Sequence, residues 1–446
     1  MRRIILLATR GFLFLFLTQQ VHAYDVDVEV DVESSCDLDF ITVDGASLIV
    51  FPTESDDTAN IQCALDSAIE QDIAMVQLAE GDFNIGAIEA ADFNGRLSGI
   101  SKGKTRLLIG TGEVDCSAME EAGLQPAGIR FSGGSPRIQN MTIYARYFCD
   151  SSPSVRPVVI HFTGQPTGTS ECSNDVIFGV VDRVNLSFDL QVDPFAEETP
   201  AFEKINGISG FAEGFSLGGC KQTLLGTLKV NRSELDGFYA GFGTSMRGGA
   251  QIDVNYNTFT NNEYDTVFVN SNQSTYIVGN QFNGTPDENF EYFAVKVETS
   301  SDTAPATTKF VLLSNTFSID AQSTTDLVSG FAVLFDQSAK TAEITALIAQ
   351  NTFTLSGDGA YGVVDKGVSG GVIAKNVWRG TANAAISLGA LGGYPSVDWA
   401  ILANRGFSGL ETSTADIALG ARATGTVIGA GQGATVIDLG EYNSAL

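Results

Sequence analysis

Histidine is almost missing from this chain: only two of its 446 residues are His. His22 falls in the N-terminal apolar leader, which leaves His161, inside "VVIHF", alone in the remainder. Mechanisms that need paired histidines have no residues to use, and a lone His in an apolar strand ordinarily serves a structural hydrogen bond. Positive charge is scarce too, with 25 Lys and Arg against 53 Asp and Glu and a net charge of −28. Removing residues 1–23 takes away Arg2, Arg3 and Arg10, so −28 becomes −28 − 3 = −31. A chain so poor in cations is a bad partner for nucleic acid or anionic membranes, whose phosphates need Lys and Arg. After residue 23 no apolar run is long enough to span a bilayer. No C-x-x-C pair is present, which argues against a zinc or redox site. Only one convincing helical pattern occurs, and Asn-Gly hairpin signals are few (Asn94-Gly95, Asn206-Gly207, Asn283-Gly284). Neither βαβ units nor a meander of hairpins fits.

What is present begins with an export signal. Arg2 and Arg3 precede the apolar run Ile4–Leu17, and Val21-His22-Ala23 ends it. The expected mature protein is therefore secreted. Export agrees with the six cysteines, Cys36, Cys63, Cys116, Cys149, Cys172 and Cys220, all in the first half. In an oxidising compartment these form disulfides. The expected pairs are Cys36–Cys63, Cys116–Cys149 and Cys172–Cys220; the 23-residue interval makes Cys149–Cys172 a competitor. Residues 24–50 are an acidic N-terminal segment whose "DVDVEVDVE" would place five carboxylates on one strand face. Solvation or an edge strand is the plain reading of that run, and a calcium-binding ribbon the alternative. Residues 56–71 carry the helix: Ile61, Ala64, Leu65, Ala68 and Ile69 make one apolar stripe, with Asp56 or Asp57 to cap it.

From Met75 onward, short β-rich runs recur, punctuated by Gly, Asn, Asp and Ser. "NTF" occurs at Asn257, Asn315 and Asn351, with the relatives Asn280-Gln281-Phe282 and Asn376-Val377-Trp378. The intervals are 23, 35, 36 and 25. A coil of a parallel β-solenoid takes roughly 22–25 residues, with insertions in turns. Two intervals match a bare coil and two match a coil with a loop. Each Asn then sits at a bend and bonds the same position in the next coil, while the aromatic two residues later stacks inside. These Asn residues are structural.

The order of features resembles the opening of the pectate-lyase-like superfamily of secreted right-handed parallel β-helices. Asp56, Asp57, Thr58, Ile61, Gln62, Leu65, Gly81 and Phe83 carry the resemblance, and "GIRFSGGSPRIQNMTIYA" (128–145) is similar to a coil of such proteins. It implies an all-β fold, a right-handed parallel β-helix over residues 51–440 with a capping helix, about 12 coils and a tail at 441–446. It says little of function, because the group spans lyases, glycosidases, epimerases, adhesins and tailspikes. The Gly-His-Gly and Asp-Pro-His motifs of two of its branches are absent.

β-Elimination can proceed without His, given a base and a cation for the uronate carboxylate. Arg232, Arg247 and Lys296 lie in the middle coils, near Asp236, Glu263, Asp265, Asp287, Glu288 and Glu291. The interval from Asp236 to Asp265 is 29 and that from Glu263 to Glu291 is 28, so one acidic lateral strip is expected. Candidate catalytic residues are Asp236, Glu263, Asp265, Glu291 and Arg247. Calcium is the one cofactor this set suggests, through Glu263, Asp265 and Glu291. Solubility alone is the plain reading of the strip. Tyr239, Phe242, Tyr256, Tyr264 and Tyr292 are nearby candidates for sugar platforms. The expected function is binding or processing of an extracellular polysaccharide, by a lyase- or glycosidase-like reaction. The alternative is a non-catalytic surface, adhesion or matrix protein.

Overall fold

The computed structural model describes residues 36, 39–110, 114, 116–121, 124–146, 149, 156–164, 176–188, 205–211, 225–245, 250–270, 274–286, 291–299, 308–321, 329–337, 344–367, 369–389, 395–430 and 432–445. The expected leader, "DVDVEVDVE", Cys172, Cys220, Arg247, Asp287 and Glu288 lie outside them.

One coil shows the plan. Gln251–Asn255, Thr258–Thr260 and Asp265–Asn270 are strands on three successive faces. Each pairs in parallel with its counterparts one coil before and one coil after. Among the described residues the one antiparallel pairing joins Ile41–Asp44 to Ser47–Val50 at the start. The third face runs unbroken through twelve described strands, from Ile88–Ala91 to Val436–Asp438. Eleven steps of about 4.8 Å make this a rod about 53 Å long. The all-β parallel β-helix expected from the repeats is thus present. Its body overruns both expected boundaries: the hairpin before residue 51 joins the first face, and Ser444–Ala445 pairs with Val427–Ile428.

The bend between the first and second faces explains the Asn repeats. The residue before each Asn is left-handed: Tyr256, Gly279, Ser314, Gln350 and Lys375 have φ of 58, 68, 56, 58 and 56°. For an L-residue this costs about 1–2 kcal/mol. The Asn compensates with several bonds, each contributing about 0.5–1.5 kcal/mol net. The backbone N–H of Asn351 donates to Asn376 Oδ1 at 2.9 Å. Its side-chain amide donates to Leu312 O and to the same Oδ1, both at 3.0 Å. Asn257, Asn280, Asn315 and Asn376 repeat this pattern, all essentially buried. The ladder continues further than the repeats indicate, through Asn404 to Gln432 at one end and Ser233 at the other. Inside it, Phe259, Phe282, Phe317, Phe353 and Trp378 stack at 4.2–5.0 Å and within 9° of parallel.

Helix α1 (Thr58–Glu70) buries Ile61, Ala64, Leu65 and Ala68 in the same continuous core, with Ile69 packed partly against it. Asp57 stands at the N-cap position but does not cap. Its buried carboxylate instead accepts N–H groups of Thr53 and Asn84, at 2.7 and 2.9 Å. Asp56 serves the helix, accepting from Thr58 N at 2.9 Å. Gln62 exchanges two bonds with the Glu89 backbone. The motif residues therefore fasten the helix to the first coils. Disulfides Cys36–Cys63 and Cys116–Cys149 are both formed, which removes Cys149–Cys172 as a pairing. They belong to an oxidising compartment. No helix among the described residues is long and apolar enough to cross a membrane.

Candidate functional site

The third face has a second apolar group outside the core. Phe293, Phe331, Leu334 and Val364 cluster there, with Tyr264 and Tyr361 packed partly against them. Register explains it. Asp265, Phe293, Phe331 and Tyr361 are successive partners across coils, as are Phe268, Lys296, Leu334 and Val364. Rings stack along the outer face: Tyr239–Tyr264 at 5.4 Å, Phe293–Phe331 at 5.2 Å and Phe331–Tyr361 at 5.0 Å, with Tyr264 edge-on to Phe293. The Arg156 guanidinium lies 3.5 Å over the Tyr239 ring. Lys296 Nζ sits 5.2 Å from the Phe293 ring centre and 5.5 Å from that of Tyr264.

Asp265 heads this column. It is 9% exposed, and its Oδ1 has no hydrogen-bond partner among the described residues. Burial pushes its carboxyl up to about 7, against the pull of Lys296 and with some help from Glu298 and Asp336. A carboxyl in that range exchanges a proton at neutral pH. Burial works against the Lys296 ammonium, but Asp265, Tyr264, Glu298 and Asp336 outweigh it and hold the amine protonated above the usual lysine value. Burial also raises the Tyr264 phenol, so it keeps its proton. The set contains a proton carrier, a fixed cation and a phenol donor.

The expected acidic strip does not hold together. Asp236 is register partner of Thr260, 24 residues on, so an interval of 29 carries Asp265 to the next face. On the second face, Asp236 Oδ1 accepts from Thr260 and Asn261 at 2.7 Å each and lines a polar hollow with Asn283, Ser318 and Asp320. Glu263 and Glu291 do keep the 28-residue interval of the partners Asp265 and Phe293, and so lie in adjacent coils beside the site. Glu263 is half-buried and Glu291 exposed. No group of three or more His, Cys, Asp or Glu among the described residues is placed to hold one metal ion. Arg232 pairs with Asp182 on another face. Among the aromatics, Phe242 and Tyr292 are core residues and Tyr256 is on the bend, leaving Tyr239 and Tyr264 at the site. A side chain on Gly284 would collide with the Tyr292 ring at 1.9 Å, so that phenol is fixed inward. Arg156, Glu298 and Asp336 carried no signal, because the inserted residues of each coil disguise which charges align. His161 is buried higher on the same face, with Nδ1 2.7 Å from Ser209 Oγ.

No family model and no curated protein matches this sequence. Its fold is matched among solved structures. The Dettilon tailspike protein is 14% identical with a TM-score of 0.52, over 89% of this chain and 68% of that one. The A-module of the Azotobacter vinelandii mannuronan C-5 epimerase AlgE4 aligns at 14% identity and a TM-score of 0.39, over 88% and 91%. PfbA, a surface adhesin of Streptococcus pneumoniae, aligns at 12% identity and 0.40, also over 88% and 91%. At 14% identity the likeness to the tailspike establishes architecture and no more. The fold of this chain is a parallel β-helix.

Proposed function

We propose that this is a secreted protein that binds and processes an extracellular polysaccharide on its third face, with Asp265 as the proton-transferring group. The observation that carries the reading is the buried Asp265 carboxyl, unpartnered at Oδ1 among the described residues and titrating near neutrality, beside Lys296 and stacked tyrosines. A group so perturbed at a surface cluster is a functional candidate on physical grounds.

The chemistry that suits the set is β-elimination from a uronate. Lys296 neutralises the sugar carboxylate. Asp265, as carboxylate, takes the proton at C5; the C4–C5 double bond forms as the C4–O bond breaks. Tyr264, which keeps its proton, donates to the departing oxygen. Hydrolysis would require a second carboxyl at about 5–9 Å, a place for which Glu263 or Glu291 would have to serve. If calcium takes part, Glu263 and Glu291 are the carboxylates that would hold it against the polymer, where it would relieve the repulsion between two anionic partners.

The second reading is a non-catalytic rod. It is favoured by the burial of Phe293 and Phe331, which leaves the centre of the aromatic column covered. A panel of uronate and neutral glycans, followed by absorbance of the unsaturated product and by binding, separates the two. Turnover or binding that Glu263→Gln with Asp265→Asn leaves unchanged would remove this site from the argument. Absence of both activities on every glycan would favour the rod.

A further inference from the structure

Among the described residues, a local departure from the chain's acidity lies at the bend between the first and second faces. Asp182 is 1% exposed in its side chain, yet it faces three guanidiniums. Arg232 binds it with two N–H groups, at 2.9 and 2.7 Å. Arg183 and Arg137 approach at 3.4 and 3.8 Å. Those two distances describe ionic attraction rather than good hydrogen bonds, so Asp182 does not use up their donors. The three arginine side chains remain 44, 49 and 55% exposed. Lys229, 43% exposed, pairs with Asp253 at 3.2 Å. Arg96, exposed, is register partner of Arg137. Five cations thus face two carboxylates within neighbouring coils of a chain of net charge −28.

Register makes the patch linear. Asp182 pairs with Asn231 and Asn231 with Asn255, so Arg183, Arg232 and Tyr256 follow one another along the rod. All three occupy the left-handed bend position, at φ 56, 51 and 58°. The step between them is about 4.8 Å. Tyr256 is 66% exposed. Its ring lies over Gly279, where a Cβ would come within 2.6 Å of Tyr256 Cδ1. The missing side chain lets the ring lie on the next coil with a face available.

We infer that Arg96, Arg137, Arg183, Arg232, Lys229 and Tyr256 form a binding strip for an anionic polysaccharide, on a different surface from Asp265. Guanidiniums recognise carboxylate and sulfate by paired N–H groups. An exposed tyrosine supplies an apolar face for the C–H side of a sugar ring. A duplex nucleic acid, with one charge per about 1.7 Å, would bring much more negative charge against the acidic remainder of the rod. The strip needs no chemistry at the third face, so its case is independent of the proposed reaction.

The test is retardation of the intact protein in gels containing dextran sulfate, polygalacturonate or neutral dextran, repeated at several salt concentrations. Retardation is expected with at least one anionic polymer and not with neutral dextran. Arg137→Gln with Arg183→Gln keeps the close Arg232–Asp182 pair, so the fold is preserved. It should weaken binding at least fivefold and reduce the slope of log affinity on log salt by about 1–2. Tyr256→Ala should weaken binding about threefold without changing that slope. Asp265→Asn should leave strip binding intact even if it abolishes turnover. No retardation by either anionic polymer at low salt, or unchanged retardation in the arginine variant, would overturn the proposal. Equal or tighter binding to duplex DNA would overturn the assignment to glycans.

Discussion

Asn351 and Asn376 share one oxygen: Asn376 Oδ1 accepts both the backbone and the side-chain N–H of Asn351, at 2.9 and 3.0 Å. The same oxygen therefore fixes a bend and a register. Asn351→Ala removes the amide that also receives Asn315 N–H and leaves several buried groups short of a partner. With about 1–3 kcal/mol for each buried group left unsatisfied, a loss of about 3 kcal/mol is expected in urea unfolding. A change under 1 kcal/mol would mean that water fills the gap.

Asp265 gives a stability signature. Its carboxyl holds its proton to about pH 7 in the folded chain, against 3.8 ordinarily. The folded state binds that proton more tightly, so its stabilising effect is complete below about pH 3.8 and is lost as pH rises to 7. Asp265→Asn should then be the more stable protein at pH 8, by up to about 4 kcal/mol, and equal to wild type near pH 4. Unfolding at pH 4, 6 and 8 measures this. A difference independent of pH would show that Asp265 titrates as an ordinary aspartate.

Calcium should act on uronate polymers alone. Chelation is expected to weaken binding to polygalacturonate severalfold and leave a neutral glycan unaffected. Equal effects on both would point to calcium within the fold instead.

Cysteine titration tests the remaining pairing. Two disulfides are formed among the described residues, and Cys172–Cys220 is the proposed third. The unfolded, unreduced protein should show no reactive thiol, whereas two thiols would leave that last pair open.

At the N-terminal end, Ile61 and Leu65 are buried against the first coils. Deleting residues 24–72 should expose strand edges and apolar side chains and give aggregates on gel filtration. A soluble monomer would remove the helix from any capping role.

Much of this fold was legible because a solenoid repeats its instructions. Asn-x-aromatic marked both the bend and the interior stack. Where the wording changed, reading stopped: Asn404 is followed by Phe407 three residues on, and Gln432 and Ser233 perform the same task with other side chains. The site was harder. Asp265 and Glu263 were singled out by charge, but Asp236 was placed beside them by counting a full interval across a coil whose three faces divide it unequally. Burial separated Tyr292 and Phe242 from Tyr239 and Tyr264, and composition carries no trace of that difference. The arginine strip was hidden because Asp182 gathers residues that are up to 95 positions apart, from Arg137 to Arg232.

The ladder also determines how the rod would yield to force. Hydrogen bonds between coils run along its axis, so a pull on the two ends loads them one coil at a time rather than all together. Each released coil of 23 to 36 residues would add roughly 80–120 Å of slack chain before the next ladder rung took the load. Extension would proceed as a succession of unequal steps, and the order of step lengths would spell out the spacing of the asparagines.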